Sequence, residues 1–446
     1  MDLIINGFDN KGVTMIKKII LMILMFLIFG TMNACQTTSE SSELNLVISG
    51  LAQPQEKTFF RTFVKLFEAE TGISVNLSYV TPADLITQIG GEIQSSQIQS
   101  DVIMVDTANM KYYVEGGLMI DLGELVNSFS DRTIINLFND STSKDGKTYF
   151  VPVSFDTYIS IFNKEALPYI PDTVEVVRNS EDEITEIISI TWEEFANWSA
   201  SIREETGIPK TGFPMGLSNS QLLYPMGGMA LAFGATSFPD INDSGAMEAW
   251  NLIAGMAADG SIVDESILST VNQPDSLLTS GILWLSFGHM GPIGSAYGAN
   301  PDLYVLGPAP ISEATQTAGT TAGAWALGIV KGSPHQDASA AWIEFMTEPE
   351  INYLYCSGLG GVISPIEEVQ NELGTSSTDQ VMAVGLASYQ GAVRIAVLDT
   401  SRYSSWQSVK AIYIALYQRL LNGVALEQEE ADIFQSQIDA LLQNDD

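Results

Sequence analysis

The chain has 446 residues, 46% of them hydrophobic, and a formal net charge of −35 at pH 7. Such an acidic surface repels phosphate backbones and anionic lipid, which argues against nucleic-acid binding and weakly disfavours an anionic ligand. The chain after residue 34 exceeds the roughly 250–300 residues at which a single hydrophobic core stops growing, so we predict two lobes.

The N-terminal segment has the pattern of a lipoprotein signal peptide. Lys17 and Lys18 precede an apolar run, Ile19–Phe29, which is followed closely by Cys35. The run is shorter than the roughly 20 apolar residues that span a bilayer, and its flanks are typical of a cleaved secretory signal. We predict cleavage before Cys35, whose thiol then carries a lipid anchor. A secreted protein with an unmodified cysteine is the alternative.

Two short segments are therefore excluded from the folded domain. Residues 1–34 are the predicted signal peptide, and Met15 is the better start, which makes 15–34 the true signal. Residues 35–43 are rich in Ser and Thr and lack an apolar period, so we predict a lipidated, flexible tether. The protein is then expected in the cell envelope, outside the cytoplasm and anchored to a membrane.

Cysteine and histidine usage argues against disulfides and metal sites. The second cysteine, Cys356, has no partner if Cys35 is lipidated, and we predict a buried thiol. The two histidines, His289 and His335, lie far apart in sequence, and no Cys/His cluster has metal-ligand spacing. We expect neither a metal nor a cofactor.

The first third of the chain alternates strands and helices. Strands are predicted at Leu44–Ser49, Ile73–Val80 and Asp101–Val105, with helices at Phe59–Glu70 and Asp84–Ile93. This order favours βαβ units and an α/β lobe.

The rest of the chain continues the mixed pattern and ends mostly helical, without internal repeats. Asp172–Ile190 favours a polar hairpin, and Thr191 is placed to cap the helix that follows it. Further strands are predicted at Tyr149–Val153, Tyr158–Phe162, Leu303–Leu306 and Ala326–Val330, and helices at Trp192–Ile202, Ala246–Ala258, Gln336–Met346, Val409–Leu421 and Glu429–Leu442.

An ordered set of short motifs carries a family resemblance over nearly all of the predicted mature chain. The motifs are FEAETGISV (67–75), DVIMVD (101–106), EGGLMIDLGEL (115–125), DGKTYFVPVSFDTYISIFNKEAL (145–167), TWEEF (191–195), LLTSGILWLSFGHMGPIG (277–294), DASAAWIEFM (337–346) and SGLGGVISP (357–365). Together they resemble the extracellular solute-binding proteins of carbohydrate ABC importers, which include maltose-binding and multiple-sugar-binding proteins. The chain departs from the family pattern at two points: Phe162 stands where the family has tyrosine, and segment 277–294 lacks the family's lysine.

The resemblance implies a two-lobed α/β fold of the periplasmic-binding-protein type II class, with a ligand cleft between lobes joined by three crossings. We expect the crossings near Val153–Tyr158, Val305–Pro310 and Thr347–Asn352. Lobe 1 would then comprise 44–154 and 309–348, and lobe 2 would comprise 155–308 and 349–446. The implied function is capture of a sugar by hinge closure, followed by delivery to the membrane permease. A monomer is expected.

Candidate ligand contacts in the first lobe lie where its strands end. Neutral sugars need hydrogen-bond acceptors and aromatic stacking surfaces, and open α/β sheets bind ligands beyond their strand carboxyl ends. Ser49 and Gly50 end the first strand, and Asp106 and Asn109 follow the third. Capping of the next helix is the alternative role for Asp106.

Further candidates lie at the first crossing and in a loop of the second lobe. Asp156 lies between Phe155 and Tyr158, where the resemblance implies an acidic sugar contact, although both aromatic rings are also suited to packing the hinge. Asn219 and Tyr224 lie in a segment marked by Gly, Ser and Pro, from which the family often contributes a stacking ring.

The last candidates come from the second half of the chain. His289 lies where the family frequently has a tryptophan facing the cleft, and a buried core histidine is the alternative. Gly323 and Trp325 belong to a segment expected to line the first-lobe side. Trp406 resembles a sugar-stacking tryptophan late in the maltose-binding chains. Three other tryptophans lie in helical stripes and are predicted to be core: Trp192, Trp250 and Trp342.

Three alternatives from other classes stay open at this point. A glycoside-acting enzyme needs paired carboxylates, but the chain has no nucleophile-elbow or phosphate-loop motif. A binding protein for a polyamine or other cation would use Asp106 and Asp156, and its affinity would fall with salt. A surface adhesin, the weakest alternative, would show no closure around a small molecule.

Overall fold

A six-stranded and a four-stranded sheet organise the chain. The computed structural model describes residues 43–50, 54–213, 223–236, 240–263, 274–397 and 406–442. The strands are β1 (Glu43–Ser49), β2 (Ser74–Val80), β3 (Val102–Asp106), β4 (Ser143–Lys144), β5 (Lys147–Thr148), β6 (Val151–Asp156), β7 (Tyr158–Asn163), β8 (Glu175–Arg178), β9 (Ile184–Ser189), β10 (Thr211–Gly212), β11 (Leu285–His289), β12 (Tyr304–Gly307), β13 (Ala318–Ile329) and β14 (Ala392–Val397). The larger sheet has the order β14-β13-β3-β1-β2 with β6 also paired to β13, and the smaller has the order β10-β11-β7-β12.

Helices cover both sheets, which makes the fold α/β as predicted. They are α1 (Pro54–Thr71), α2 (Pro82–Ser95), α3 (Thr107–Glu115), α4 (Gly123–Ser128), α5 (Asn139–Thr142), α6 (Trp192–Thr206), α7 (Leu223–Ala232), α8 (Ser244–Ala258), α9 (Pro274–Thr279), α10 (Met290–Ala299), α11 (Gln336–Thr347), α12 (Pro349–Gly358), α13 (Glu367–Asn371), α14 (Ser377–Gly391), α15 (Trp406–Leu421) and α16 (Gln428–Leu442), with short 3-10 helices at Lys164–Tyr169 and Pro301–Leu303. Among the described residues, no helix is both long enough and apolar enough to cross a bilayer. The predicted signal peptide and Cys35 lie outside the described residues.

The larger sheet brings several strand ends to one edge. β1 runs parallel to β2 and β3. The side chains of β1 and β3 are mostly apolar and buried, as expected for strands that are covered on both faces. β13 runs antiparallel to both β3 and β6, which pairs Trp325 with Asp106 and Gly323 with Asp156. Four predicted site residues therefore meet where these strands adjoin.

Helix α6 begins where the sequence predicts. The Glu194 amide donates to Thr191 Oγ1 at 2.9 Å, and the Thr191 amide donates to Glu194 Oε2 at 2.8 Å, which forms a capping box. The three tryptophans predicted to be core are buried in the structure: Trp192, Trp250 and Trp342.

The first passage between the sheets takes a single residue. β6 belongs to the larger sheet and β7 to the smaller, with Thr157 between them. The Thr157 hydroxyl is fully buried and hydrogen-bonds to the Thr320 hydroxyl of β13, and the Met290 amide donates to the Thr157 carbonyl at 3.2 Å. Contacts to β13 and to the first residue of α10 therefore hold the passage in place.

The later passages differ in part from the expected boundaries. The chain changes sheets between β12 and β13, across residues 308–317. It does not leave the larger sheet at Thr347–Asn352, because α12 buries Ile351 and Tyr355 in that sheet's core and Asn352 Nδ2 donates to the Val153 carbonyl at 2.8 Å. β14 also pairs with β13, so parts of 349–446 lie with the larger sheet.

Helix α7 packs directly onto the first half of β13 because glycines remove the side chains between them. A Cβ atom on Gly319 would lie 2.3 Å from the Ala232 amide nitrogen and 2.5 Å from the Gly228 carbonyl oxygen. Real Cβ atoms do not approach backbone this closely, so only glycine permits the contact. This contact sets the position of α7, and with it Tyr224, relative to β13.

We expect Gly319→Ala to lower the free energy of unfolding by about 1–3 kcal/mol, because the added methyl group must push α7 away from β13. Urea denaturation of the soluble chain measures the change. Gly255→Ala in α8 is the matched control, since a Cβ there meets nothing within 4 Å; it should raise the stability by up to about 1 kcal/mol. Unchanged stability of Gly319→Ala would show that this packing is loose.

Candidate functional site

A cavity of about 190 Å³ opens between the two sheets. Its walls come from the strand ends of the larger sheet, from β7 and β11 of the smaller sheet, and from α7. The lining residues are Asp106, Thr107, Ala108, Asp156, Tyr158, Tyr224, His289, Thr321, Ala322, Gly323, Ala324 and Trp325. Seven residues singled out from the sequence are among them: Asp106, Asp156, Tyr158, Tyr224, His289, Gly323 and Trp325.

Asp156 and His289 form a polar pair across the junction of the sheets. His289 Nε2 lies 3.0 Å from Asp156 Oδ2, and each side chain is 25% exposed. His289 Nδ1 accepts a hydrogen bond from the Gly291 amide at 3.2 Å, so in the neutral ring the proton lies on Nε2 and points to Asp156. The Tyr158 ring meets the imidazole edge-on, at 5.8 Å between centroids. The carboxylate is thereby oriented and keeps acceptor capacity for a ligand.

Two opposing effects act on the His289 imidazole. Burial lowers its pKa, and the Asp156 carboxylate raises it through charge and hydrogen bonding. The carboxylate prevails, and the pKa of His289 lies above its ordinary value. Protonation of His289 would add a positive charge to a ring that already donates a hydrogen bond to Asp156.

Asp106 faces the cavity from the start of α3. Its carboxylate accepts a hydrogen bond from Asn109 Nδ2 at 2.7 Å. Burial raises the pKa of Asp106, while Asn109, the Ala108 amide and the Lys410 ammonium act in the opposite direction; the net shift is upward. The residue thus occupies the N-cap position considered in the sequence and also lines the cavity. Asn109 supports it from within the helix.

Trp325 rests against the end of β1. Gly50 has a φ of +85°, and a Cβ there would lie 3.1 Å from Cη2 of the Trp325 indole. The Gly50 amide donates to the Val80 carbonyl at 3.1 Å, and Ser49 is buried beside it. Gly50, predicted as a ligand contact, therefore lies against the indole, and neither Gly50 nor Ser49 is among the residues that line the cavity.

Phe155 does not line the cavity, and two other predicted contacts lie outside the described part of the structure. Phe155 was expected to contact the ligand, but its ring is 1% exposed and packs against Phe138 and Tyr389 at 5.6 and 5.7 Å between centroids. Neighbouring side chains of a strand point to opposite faces, so Asp156 and Phe155 cannot both face the cavity. Asn219 lies outside the described residues. Trp406 begins α15, and its side chain lies outside the described part of the structure.

Sequence reasoning missed Thr107, Thr321 and Lys410. The Thr321 hydroxyl donates to the Tyr224 carbonyl at 3.2 Å and so joins β13 to α7. Lys410 is 9% exposed, and its Nζ lies 5.9 Å from the centroid of the Tyr224 ring. No local pattern distinguishes Lys410 from its helical neighbours, because its surroundings come from α7 and from the end of β3, which are distant in sequence.

The described residues offer no metal site. Within the described ranges, His, Cys, Asp and Glu side chains form no group of three or more that could hold an ion. The cavity chemistry is instead that of hydrogen-bond acceptors, one imidazole, one nearby ammonium group and aromatic rings.

We expect Asp156→Asn to lower the pKa of His289, because the carboxylate that raises it is removed while the burial that lowers it remains. NMR titration of the imidazole Hε1 signals measures the change, and the chain contains only two histidines. The His335 signal is the internal control, since that ring is paired with Asp101 at 3.0 Å. An unchanged His289 midpoint would contradict the pairing.

Known proteins share this fold. Comparison with curated protein sequences gives no match. The GacH receptor of Streptomyces glaucescens GLA.O, solved unliganded and with acarbose, superposes with a TM-score of 0.67 at 18% identity, covering 91% of this chain and 100% of that one. The sugar-binding protein MalE of Xanthomonas citri gives 0.69 at 16% identity, covering 90% and 98%. UgpB of Mycobacterium tuberculosis, solved with glycerophosphocholine, gives 0.66 at 14% identity, covering 91% and 99%.

These likenesses establish the two-lobed fold of periplasmic binding proteins, as predicted. The model of one sequence family, described as bacterial extracellular solute-binding protein, matches residues 62–383, which is more than half of the chain. The chain belongs to the family of bacterial extracellular solute-binding proteins.

Proposed function

We propose that this protein captures a neutral sugar or oligosaccharide in the cavity between its sheets and delivers it to the permease of an ABC importer. One observation carries the proposal: two carboxylates and three aromatic side chains from different elements converge on one cavity. They are Asp106, Asp156, Tyr158, Tyr224 and Trp325.

The carboxylates suit hydroxyl groups. Each oxygen of a carboxylate accepts more than one hydrogen bond, so Asp106 and Asp156 keep acceptor sites beyond their partners in the protein. Bonds from neutral donors to a charged acceptor are among the stronger hydrogen bonds of proteins. A polyol presents such donors at close spacing.

The aromatic rings suit the apolar faces of a sugar. Tyr224 and Trp325 are partly exposed and line the cavity from different elements, Tyr224 from α7 and Trp325 from β13. Sugar rings offer flat C–H surfaces that stack on such side chains while the hydroxyls reach the polar groups. The cavity therefore matches both features of a carbohydrate.

The charges in the cavity disfavour a polyamine or other cation as the ligand. Asp156 accepts from His289, and the field of Lys410 acts on Asp106, so each carboxylate already has a balancing group in the protein. A site built for a cation would leave its carboxylates to be neutralised by the ligand. Relatives with this fold bind varied solutes, acarbose in one and glycerophosphocholine in another, so we base the choice on these charges.

Closure follows from the position of the cavity. Asp156 and Tyr158 flank Thr157, where the chain passes between the sheets. A ligand held by both walls stabilises the arrangement in which the walls are close, and the protein shifts toward that form. The closed form is the species that we expect the permease to accept.

We expect a sugar to raise the thermal unfolding temperature of the soluble chain. A ligand that binds only the folded state contributes about 2.7 kcal/mol at 100 times its Kd. The screen covers monosaccharides, linear and cyclic oligosaccharides, and the polyamines putrescine and spermidine. Asp156→Ala and Trp325→Ala should remove the shift, whereas Asp439→Ala on the exposed face of α16 should leave it unchanged.

Ionic strength separates the two ligand classes. Sugar binding should barely respond to salt, while polyamine binding should weaken as salt is added. A shift with polyamines alone would overturn the ligand class. Turnover of an oligosaccharide, followed by product analysis, would contradict a purely binding role.

We further propose that the chain is tethered to a membrane by a lipid on Cys35, supported by the signal pattern that precedes it. In detergent phase partitioning of the full chain expressed in a bacterial host, the wild type should enter the detergent phase. Cys35→Ser should move the protein to the aqueous phase. Cys356→Ser is the matched control, because that thiol is buried, and it should partition as the wild type does. Aqueous wild-type protein would contradict the anchor.

A further inference from the structure

One glycine of β13 is not required by the packing of the protein. A Cβ atom on Gly319 would lie 2.3 Å from the backbone of α7, and one on Gly328 would lie 2.7 Å from the Phe150 ring, so both positions exclude a side chain. A Cβ on Gly323 would make contacts of 3.7 Å or longer, and its φ lies outside the left-handed region. Glycine weakens a strand and often marks a place where a ligand approaches the backbone closely. Gly323 therefore calls for a reason other than packing.

Two oxygen atoms bound the space in front of Gly323. The position of its missing Cβ lies 3.7 Å from Asp156 Oδ1 and 3.8 Å from Thr107 Oγ1. Gly323 is partly exposed, whereas its neighbours Ala322 and Ala324 are buried, and all five residues line the cavity. Gly323, Thr107 and Asp156 thus form a small recess in the cavity wall, which we call the glycine recess.

The two oxygens of the glycine recess have complementary hydrogen-bonding roles. Asp156 is bonded to His289 through Oδ2, so Oδ1 keeps its acceptor capacity. The Thr107 hydroxyl accepts from the Ala324 amide at 3.4 Å, and among the described residues its own hydrogen has no acceptor. The recess therefore presents one acceptor and one donor to the same small space.

A hydroxyl group satisfies both partners at once. It can donate to the Asp156 carboxylate while it accepts from Thr107. An ammonium group donates but cannot accept, a carboxylate accepts but is repelled by Asp156, and a hydrogen atom or methyl group does neither. O–H···O bonds are typically 2.7–2.8 Å long, so a ligand oxygen must lie about 1 Å closer to each partner than a Cβ on Gly323 would. Only a ligand that extends into the recess can do this.

We propose that the glycine recess binds one hydroxyl group of the sugar and makes the presence of that hydroxyl a condition for tight binding. Thr107 and Asp156 are the contacts, and Gly323 keeps the space open. The inference rests on the proposed function, since it concerns the same cavity, and it adds a specificity-determining subsite that the fold leaves open.

The experiment measures calorimetric affinities for glucose and galactose and for their 2-, 3-, 4- and 6-deoxy derivatives. The variants are Thr107→Val, which removes the hydroxyl, Thr107→Ser, which keeps it, and Gly323→Ala, which fills the recess. Thr87→Val is the matched control, because Thr87 is an exposed residue of α2 outside the cavity lining, and its hydroxyl donates to the Ala83 carbonyl at 3.0 Å. The unfolding temperature of each variant without ligand reports its folding.

For each ring position, the informative quantity is the affinity of the parent sugar divided by that of its deoxy derivative. In the wild type this ratio should be roughly ten or more at the position that enters the recess, because the deoxy sugar leaves a carboxylate oxygen without a donor. Thr107→Val should lower the ratio about threefold to tenfold at that position alone. Thr107→Ser should retain most of the ratio, and Thr87→Val all of it.

Gly323→Ala should change the affinities of the two sugars unequally. Its methyl group occupies the place of the ligand hydroxyl, so the parent sugar should bind about tenfold more weakly or worse, while the deoxy sugar loses little. The ratio should then fall to about one or below. The methyl group itself makes only ordinary contacts with the protein, so the unfolding temperature without ligand should not fall.

Maltose and maltotriose extend the test to longer ligands through a double-mutant cycle. Once Gly323→Ala has closed the recess, Thr107→Val should have little further effect on affinity, whereas independent effects would multiply. The cycle needs no deoxy derivative, so it applies to a protein that binds only oligosaccharides.

Ratios that stay unchanged, or that fall equally at every ring position, in folded variants that still bind sugar would overturn the glycine recess and leave the proposed function intact. Independent effects in the cycle would do the same. Absence of wild-type binding to every sugar in this set and in the thermal screen would count against the proposed function, and the inference would fall with it.

Discussion

The pairing of one strand with two others determines the geometry of the cleft. β13 runs antiparallel to β3 and to β6, which places Asp106 beside Trp325 and Asp156 beside Gly323. The same strand carries Gly319 at its other half, where α7 packs against bare backbone. Every wall of the cavity is positioned directly by β13 or by an element that β13 contacts. Loss of this register would separate the carboxylates from the rings.

The cavity combines charged groups with an environment that lowers their hydration. Burying a carboxylate without a partner is unfavourable. Asp156 is paired with the His289 imidazole, and Asp106 with the Asn109 amide and, at longer range, the Lys410 ammonium group. These partners orient the oxygens while leaving acceptor sites facing the ligand. Fixed dipoles of this kind favour binding because little rearrangement is needed when the ligand arrives.

Local sequence signals predicted much of the fold and part of the cleft. The end of a predicted parallel strand led to Asp106, because parallel strands bring their carboxyl ends to one edge. The family resemblance, together with the flanking aromatic residues, led to Asp156. Strand alternation, if applied strictly, would have assigned Phe155 to the core. Lys410 and the continued packing of α12 depend on contacts between residues far apart in sequence, which no local pattern reveals. The path of the chain after Thr347 was misjudged for the same reason.

The one-residue passage at Thr157 has a consequence for the order of events during capture. Rotation about a pivot displaces nearby atoms least, and Asp156 and Tyr158 are its immediate neighbours in the chain. His289 is paired in register with Tyr158 and bonded to Asp156, so the closure proposed above would displace this group less than groups farther from Thr157. Under the proposed function, a solute would first meet this preformed group, which lies next to Thr157. Contacts with groups farther from Thr157 would then form as the cleft closes.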